Sequence, residues 1–226
     1  MKDPLDYKEP ITKIYFVRHG ETKANVKRLL FGHMNLDLTK NGIKQAKHAA
    51  KHLVEAGFPP KVGPPSVDKP APTFDYIISS PLKRTRHTAK IIRKEFVGTG
   101  LAPALKIIID KNLIEKSEGI WEGKTLWQVR EKDSKNYYKW LKNPFKNRPP
   151  KGESIMDLNK RVKKFYKTIL KKYLGKSIIV VTHSGPIKMF ILNVLGANIN
   201  KFWHLVTKCG GIVEIHLSQK HAKIFI

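Results

Sequence analysis

Ile14-Tyr15-Phe16-Val17-Arg18-His19-Gly20-Glu21-Thr22 is the stretch on which the reading of this chain turns. Its first four residues, β-branched and aromatic, read as a buried strand. The residues that follow then stand at the carboxyl end of that strand, where open α/β sheets bind ligands. Arg18 brings a fork of donors suited to phosphate. His19 brings a nucleophilic ring nitrogen that is largely neutral near pH 7. Gly20 lets the backbone turn sharply or come close to a ligand. Such a triplet recurs by chance, so its weight depends on the rest of the chain.

Two later runs end in the same style. Asp75-Tyr76-Ile77-Ile78 leads into Ser79-Ser80-Pro81-Leu82-Lys83-Arg84, and Ser177-Ile178-Ile179-Val180-Val181 leads into Thr182-His183-Ser184-Gly185. In a parallel sheet these strand ends share one edge, so Arg18, His19, Arg84 and His183 converge. Two arginines and two histidines around one point make a pocket for a dianion, the electrostatic arrangement a transferring phosphoryl group requires.

The rest of the chain supplies helices and loops around those strands. Thr39 caps a helix from Lys40 to about Ala56, with Ile43, Ala46, Ala50, Leu53 and Val54 as its apolar stripe and Gly57 as its stop. Residues 58–73 (FPPKVGPPSVDKPAPT) are proline-dense and aperiodic, and read as a stiff surface loop inserted between two elements. Ser80 and Pro81 are placed to open the next helix at its cap and first turn, with Leu82, Ala89, Ile92 and Phe96 buried. Leu105 to Ile109 reads as another short buried strand. Residues 124–151, rich in Trp, Tyr and Lys, read as short helices and a loop over the site, able to supply a lid. Ser154 starts an amphipathic helix with Ile155, Leu158, Val162, Phe165, Ile169 and Tyr173 on one face. A helix near Pro186–Leu195 and a terminal hairpin of Ile212–Leu217 with Ala222–Ile226 complete the chain. The strand–helix alternation predicts an α/β three-layer sandwich with a mostly parallel central sheet flanked by helices. The 226 residues suffice for one sizeable domain spanning 1–226.

Composition narrows the function classes. A single cysteine, Cys209, excludes an internal disulfide framework and any multi-Cys zinc site. Residues 1–10 lack the apolar core of a secretory signal, and no apolar stretch is long enough to span a bilayer, so a soluble cytoplasmic protein without membrane partners is the expectation. Lys and Arg number 44 against 18 Asp and Glu, a net charge of +26. Such an excess attracts nucleic acid or anionic metabolites. The lysines are dispersed, however. Lys163, Lys164, Lys167, Lys171 and Lys172 fall on the solvated face of one helix, and no nucleic-acid-binding motif accompanies them, so a nucleic-acid partner is not expected.

The motifs, taken in order, resemble those of the histidine phosphatase superfamily, the phosphoglycerate-mutase-like group. The similarity lies in RHGET at 18–22 with Asn25, in Gly32-His33, Leu38-Thr39, Gly42 and Gln45-Ala46, and in SSPLKRT at 79–85. It continues through Leu113-Ile114-Glu115, Gly119-Ile120-Trp121-Glu122-Gly123, Gly152-Glu153-Ser154 and THSG at 182–185. The resemblance implies a phosphoglycerate-mutase-like fold and a phosphomonoester hydrolase working through a phosphohistidine, with no cofactor, on a small phosphorylated substrate. His19 is then the nucleophile. Arg18 and Arg84 clamp the non-bridging oxygens. His183 donates to the same oxygens, and Asn25, Thr22 and Ser184 are further phosphate contacts. Glu115 resembles the family's acid, which protonates the leaving oxygen and then activates water.

Each assignment has a plainer rival. A lone histidine is more often a cap or core residue, Arg84 on a basic helix could form a surface salt bridge, Asn25 could be a turn residue, and Thr22 could only cap a turn. Glu118 and Glu122 compete with Glu115, and Glu21 is expected to be structural, paired with nearby cations. With no clustered carboxylates among the site residues, metal independence is expected. The pattern also departs from the family's: Leu29 stands where Arg is usual and Arg28 is displaced by one, with Asp37 for Pro, His87 for Gln, Ser184 for Gly, and Glu118 for an aromatic or small residue. The short 124–151 segment resembles the small α-ribazole-phosphatase-type phosphatases more than the mutases. The alternatives are a cofactor-dependent phosphoglycerate mutase and, from another class, an inactive relative that binds anions or nucleic acid.

Overall fold

The computed structural model describes residues 10–57, 74–98, 105–218 and 221–225; the proline-dense 58–73 stretch lies outside them. The stretch around His19 forms β1 (Thr12–Arg18) and β4 is Ser177–Thr182, paired in parallel with Phe16 opposite Val180 and Arg18 opposite Thr182. β2 (Tyr76–Ser79) lies parallel on the other side of β4, and β3 (Ile107–Ile109) parallel beyond β2. The terminal hairpin, β5 (Ile212–Leu217) and β6 (Ala222–Phe225), adds antiparallel to β1, giving the order β3-β2-β4-β1-β5-β6. Three parallel pairings put the carboxyl ends of β1, β2 and β4 side by side.

The strand period places alternate residues on opposite faces. Tyr15 and Val17 face α2 (Lys40–Gly57) and α3 (Lys83–Gly98), packing with Ala50, Leu53, Ala89 and Ile92. Ile14 and Phe16 face α6 (Ile155–Lys172) and α7 (Ser184–Val194), packing with Leu158, Phe165 and Phe190. Because β1 and β4 are covered on both sides, they read as continuous apolar runs. Two short helices, α4 (Leu126–Lys132) and α5 (Ser134–Lys142), fall within 124–151, and a one-turn α1 (Lys23–Val26) follows the His19 loop. The expected stripe of α6 is buried from Ile155 to Ile169, and the carboxylate of Asp157 completes a capping box with Ser154. Tyr173 caps the end of α6.

Three expectations need correction. Ser80 and Pro81 do not open α3; the helix begins at Lys83 because Ser80 is drawn elsewhere, its N–H to Val181 O (3.0 Å) and its hydroxyl to His183. α7 starts at Ser184, which puts Pro186 in its first turn, where the missing N–H costs nothing. The strand expected at Leu105–Ile109 shrinks to three residues at the sheet edge, where Ile109 is exposed.

Candidate active site

β1 and β4 deliver the two histidines to one place, and backbone bonds fix them there. The His19 N–H donates to Thr182 O (3.0 Å), and the Ser80 N–H to Val181 O (3.0 Å). The imidazole rings of His19 and His183 lie 5.1 Å apart, centre to centre. Arg84, the second residue of α3, reaches between them. Its Nε–H is 3.2 Å from His19 Nε2 and 3.2 Å from His183 Nδ1. Its Nη1 donates to Met34 O (2.7 Å) and its Nη2 to Gly32 O (2.8 Å), and Phe31 covers its guanidinium at 4.9 Å. Arg84 is fully buried and is held by backbone carbonyls, not by a surface salt bridge.

These contacts set the protonation states. His19 Nδ1 faces Gly20 O at 2.7 Å, and a carbonyl only accepts, so the proton sits on Nδ1 and the Nε2 lone pair is free to attack. Burial and then the charge of Arg84 hold the His19 pKa well below its ordinary value. His183 is lowered for the same two reasons, with His19, Arg161 and Arg18 adding to the effect. Both rings are therefore neutral near pH 7. Burial brings Arg84 down to about 10, which leaves it cationic.

Arg18 is the second cation. Its Nη1 donates to Thr207 O (2.6 Å), while Nε is buried with no acceptor among the described residues. Buried polar groups in native proteins are nearly always satisfied, so this donor is set up for an anionic acceptor. Arg18, Ser184, Gly185 and Glu115 line a cavity of about 200 Å³. Lys188, Phe202 and Trp203 form part of its wall, with Leu29, Leu30 and Phe31 also lining it. Neither imidazole, nor Arg84, is among the residues that line it.

The three candidate acids separate by their contacts. Glu115 lines the cavity; its Oε1 accepts from Lys116 N (2.8 Å) and its Oε2 from Gly185 N (3.3 Å). A Cβ on Gly185 would lie 2.3 Å from Glu115 Oε1, so glycine is required for this approach. Glu118 also lines the cavity but is paired with Lys116 Nζ at 2.6 Å, and burial raises its pKa against that pairing. Glu122 turns away to hold backbone, accepting from His33 N (2.9 Å) and Glu118 N (3.2 Å). The Glu115 loop is braced by Arg161, which donates to Asn112 O (2.9 Å) and Ile114 O and pairs with Glu153. Glu153 in turn accepts from Ser117 N (3.0 Å), which explains the Gly152-Glu153-Ser154 block.

Other expected site residues make contacts within the scaffold. Thr22 is fully buried, and Thr22 and Asn25 form the capping box of α1: the Thr22 N–H and Oγ1–H both donate to Asn25 Oδ1 (2.9 Å each). Neither lines the cavity. Ser184 does, with its Oγ accepting from Thr207 Oγ1 (2.9 Å). Gly20 does not make room for a ligand. A Cβ there would sit 2.1 Å from Gly42 O, so it is the first turn of α2 that comes close. Among the described residues Glu21 pairs with no cation; it accepts from Thr39 Oγ1 (2.7 Å) and Asn41 Nδ2 (3.2 Å).

The 124–151 segment places no residue on the cavity wall. Its Trp140 meets the ring of buried Trp121 at 5.8 Å, Trp121 Nε1 donates to Asp133, and Trp127 is exposed. The wall residues missed in sequence were Leu30, Phe31, Lys116, Lys188, Phe202 and Trp203. Lys188 stands four residues after Ser184 on α7, a spacing that would have revealed it. Phe202 and Trp203 sit in a 3-10 turn, Ile199–His204, that has no periodic signal. Among the described residues no group of three or more His, Cys, Asp or Glu side chains is placed to hold a metal ion.

Comparison with known proteins meets this geometry from the other side. Residues 14–62 and 70–225 match the sequence profile of the histidine phosphatase superfamily, branch 1. Phosphoserine phosphatase 1 of Hydrogenobacter thermophilus is 29% identical over 93% of this chain and 89% of its own. The adenosylcobalamin/alpha-ribazole phosphatase of Escherichia coli is 27% identical over 94% of this chain and 93% of its own. The crystal structure of the alpha-ribazole phosphatase from Shigella flexneri superposes with a TM-score of 0.78 at 26% identity, covering 95% of each chain. A phosphoserine phosphatase from Entamoeba histolytica, solved with phosphoserine, gives 0.74 at 25% identity over 94% of each.

Proposed function

This chain belongs to the histidine phosphatase superfamily, and we propose that it hydrolyses a small phosphomonoester through a phosphohistidine on His19, without a metal ion. One observation carries the reading: a single cationic N–H, Arg84 Nε, is shared between the free lone pairs of His19 Nε2 and His183 Nδ1. A phosphoryl oxygen arriving there takes over that N–H as its acceptor, and the adjacent His19 Nε2 lone pair is left facing phosphorus.

In the first step the Nε2–P bond forms as the ester P–O bond breaks. Arg84 and Arg18 balance the charge on the non-bridging oxygens. Glu115, at the cavity wall, gives its proton to the leaving oxygen. In the second step the Glu115 carboxylate takes a proton from water, which attacks phosphorus and releases His19. Glu115 is preferred over Glu118 because Lys116 already occupies the Glu118 carboxylate.

A cavity of about 200 Å³ suits a small ester better than a polymer, which supports a metabolite over nucleic acid as partner. Among the described residues no helix is long and apolar enough to cross a membrane, and we place the protein in the cytoplasm on the character of its sequence. A hydrolase is favoured over a mutase because 124–151 is short and packs on itself.

The test is to trap the intermediate. Wild-type protein mixed with a phosphomonoester in EDTA and quenched in base should carry one acid-labile, base-stable phosphoryl group, located at His19 by mass spectrometry. Phosphate release should continue in EDTA. Turnover that stops on chelation and returns with magnesium overturns the metal-free mechanism.

A further inference from the structure

Ser80 is absorbed by none of the steps above, yet it is fully buried at the end of β2 with its hydroxyl on the second histidine. Ser80 Oγ lies 2.8 Å from His183 Nε2, and Arg84 Nε–H points at His183 Nδ1 from 3.2 Å. Arg84 shares that hydrogen between His183 Nδ1 and His19 Nε2, its Nη atoms being spent on Gly32 O and Met34 O, and Nε can only donate. Nδ1 is therefore an acceptor, and a neutral imidazole then carries its one proton on Nε2, where Ser80 Oγ accepts it. The groups around the ring come from every neighbouring element: Arg84 from α3, His19 and Arg18 from the end of β1, Arg161 from α6, and Glu115 across the Gly185 N–H. Among these Arg84 makes Nδ1 the acceptor and Ser80 is the group bonded to Nε2, so the Ser80 hydroxyl supports the tautomer that the Arg84 N–H dictates.

A phosphoryl group brings only acceptors unless it brings a proton. Against an Nδ1 lone pair, a fully ionised phosphoryl oxygen is repelled, while a monoprotonated one donates. Resting on the phosphohydrolase reading above, we propose that Ser80 is a positioning residue for the reaction: its hydroxyl accepts the hydrogen bond of His183 Nε2–H and so holds the proton on Nε2, which leaves the Nδ1 lone pair facing the phosphoryl site, so that the phosphoryl group binds with one proton shared between its own oxygen and Nδ1. The balance is simple. The ester enters as its monoanion, the shared proton stays between oxygen and Nδ1 while the Nε2–P bond of His19 forms, and the leaving oxygen takes its proton from Glu115.

Two measurements test this. In protein labelled with ¹⁵N-histidine, the empty site should show His183 protonated at Nε2. Saturation with inorganic phosphate at pH 6 should bring a proton to Nδ1 while Nε2 keeps its own. In kinetics, Ser80→Ala should lower kcat/KM roughly tenfold to a hundredfold near pH 6, as expected for losing a buried hydrogen bond to an ionisable group. The deficit should narrow toward pH 8, above the second phosphate pKa of about 6, because the freed ring can then donate from Nδ1 to the dianion. Ser80→Thr, which keeps the hydroxyl, should recover most of the wild-type rate. A proton on Nδ1 in the empty protein, a ring unchanged by phosphate, or a deficit equal at every pH overturns the proposal. If Ser80→Ala does not fold, the spectra of the wild type decide alone. Because the phosphate titration needs no turnover, a protein that shows the expected proton shift but hydrolyses no ester refutes the hydrolase reading and leaves Ser80's role standing.

Discussion

The two ends of the site are built on different principles. At the phosphoryl end, His19, His183 and Arg84 are almost wholly buried and spring from strand ends or the first turn beyond. Nearly every polar atom there has a protein partner, so the geometry is fixed before substrate arrives. At the other end, Lys188, Phe202 and Trp203 stand on a helix and a 3-10 turn, Trp203 is 51% exposed, and Lys188 lies over the Phe202 ring at 5.3 Å. The chemistry is preorganised by the sheet. The substrate's remaining atoms are met by a wall that can change without disturbing the sheet. Substitutions at the two ends should therefore fail in different ways: the first in kcat and fold stability, the second in KM and substrate choice.

The largest effect belongs to His19→Ala. Loss of a nucleophile that acts as a unit with its neighbours costs about 10⁴-fold or more in kcat, and the phosphoryl group should no longer be trapped. A variant with near wild-type turnover would erase the distinction between the two ends. Glu115→Gln comes next, with a loss of roughly 10²- to 10⁴-fold for alkyl esters whose leaving oxygen needs a proton. Aryl phosphates with acidic phenols should lose much less in the phosphorylation step, read as single-turnover rates. Equal losses across a leaving-group series would move the role to Glu118, whose pairing with Lys116 would then need to break.

A smaller effect is on stability. The folded pKa values of His19 and His183 are held below the unfolded value of about 6.5. Below that value the unfolded chain binds protons that the folded chain does not, so stability falls as pH falls and is fully present above it. Each histidine contributes a slope of about 1.4 kcal/mol per pH unit at most. Urea melts at pH 5.5 should show clearly less stability than melts at pH 7.5, and His183→Ala should flatten the difference. An unchanged pH dependence in that variant would show that the ring is not held neutral by its surroundings.

How far the sequence discloses the site follows from the same division. His19 and His183 are legible because a buried strand announces its own end, and the fold because β1 and β4 are apolar on both faces. The α6 stripe is legible because Ile155 to Ile169 repeat at helical spacing. Ser80 misleads because a serine before proline is the ordinary opening of a helix, and nothing local shows that its hydroxyl is engaged by a residue 103 positions away. Thr22 and Asn25 form a capping box, and their residue types alone do not separate that role from a phosphate contact. Phe202 and Trp203 carry no signal because a 3-10 turn imposes no long period.

The smallest predicted effect is the most specific, and it concerns Lys188. This lysine is half-buried on the cavity wall, and burial lowers its pKa, with Arg18 acting the same way and Glu115 opposing. Among the described residues it has no carboxylate within ion-pair distance, so its partial loss of hydration is offset by little within the protein. A substrate that carries a second acidic group within reach of the cavity wall would supply the missing partner. An exposed or half-buried charge pair is worth on the order of 1 kcal/mol, which is about fivefold in binding. Lys188→Met should therefore raise KM by roughly fivefold for phosphomonoesters with a second acidic group, and leave KM nearly unchanged for neutral aryl phosphates. It should leave kcat for both within twofold, because Lys188 contacts neither His19 nor His183. A common rise in KM for both substrate types would assign Lys188 to holding the phosphoryl group, and the boundary between the two ends of the site would have to be redrawn to include α7 as far as this residue.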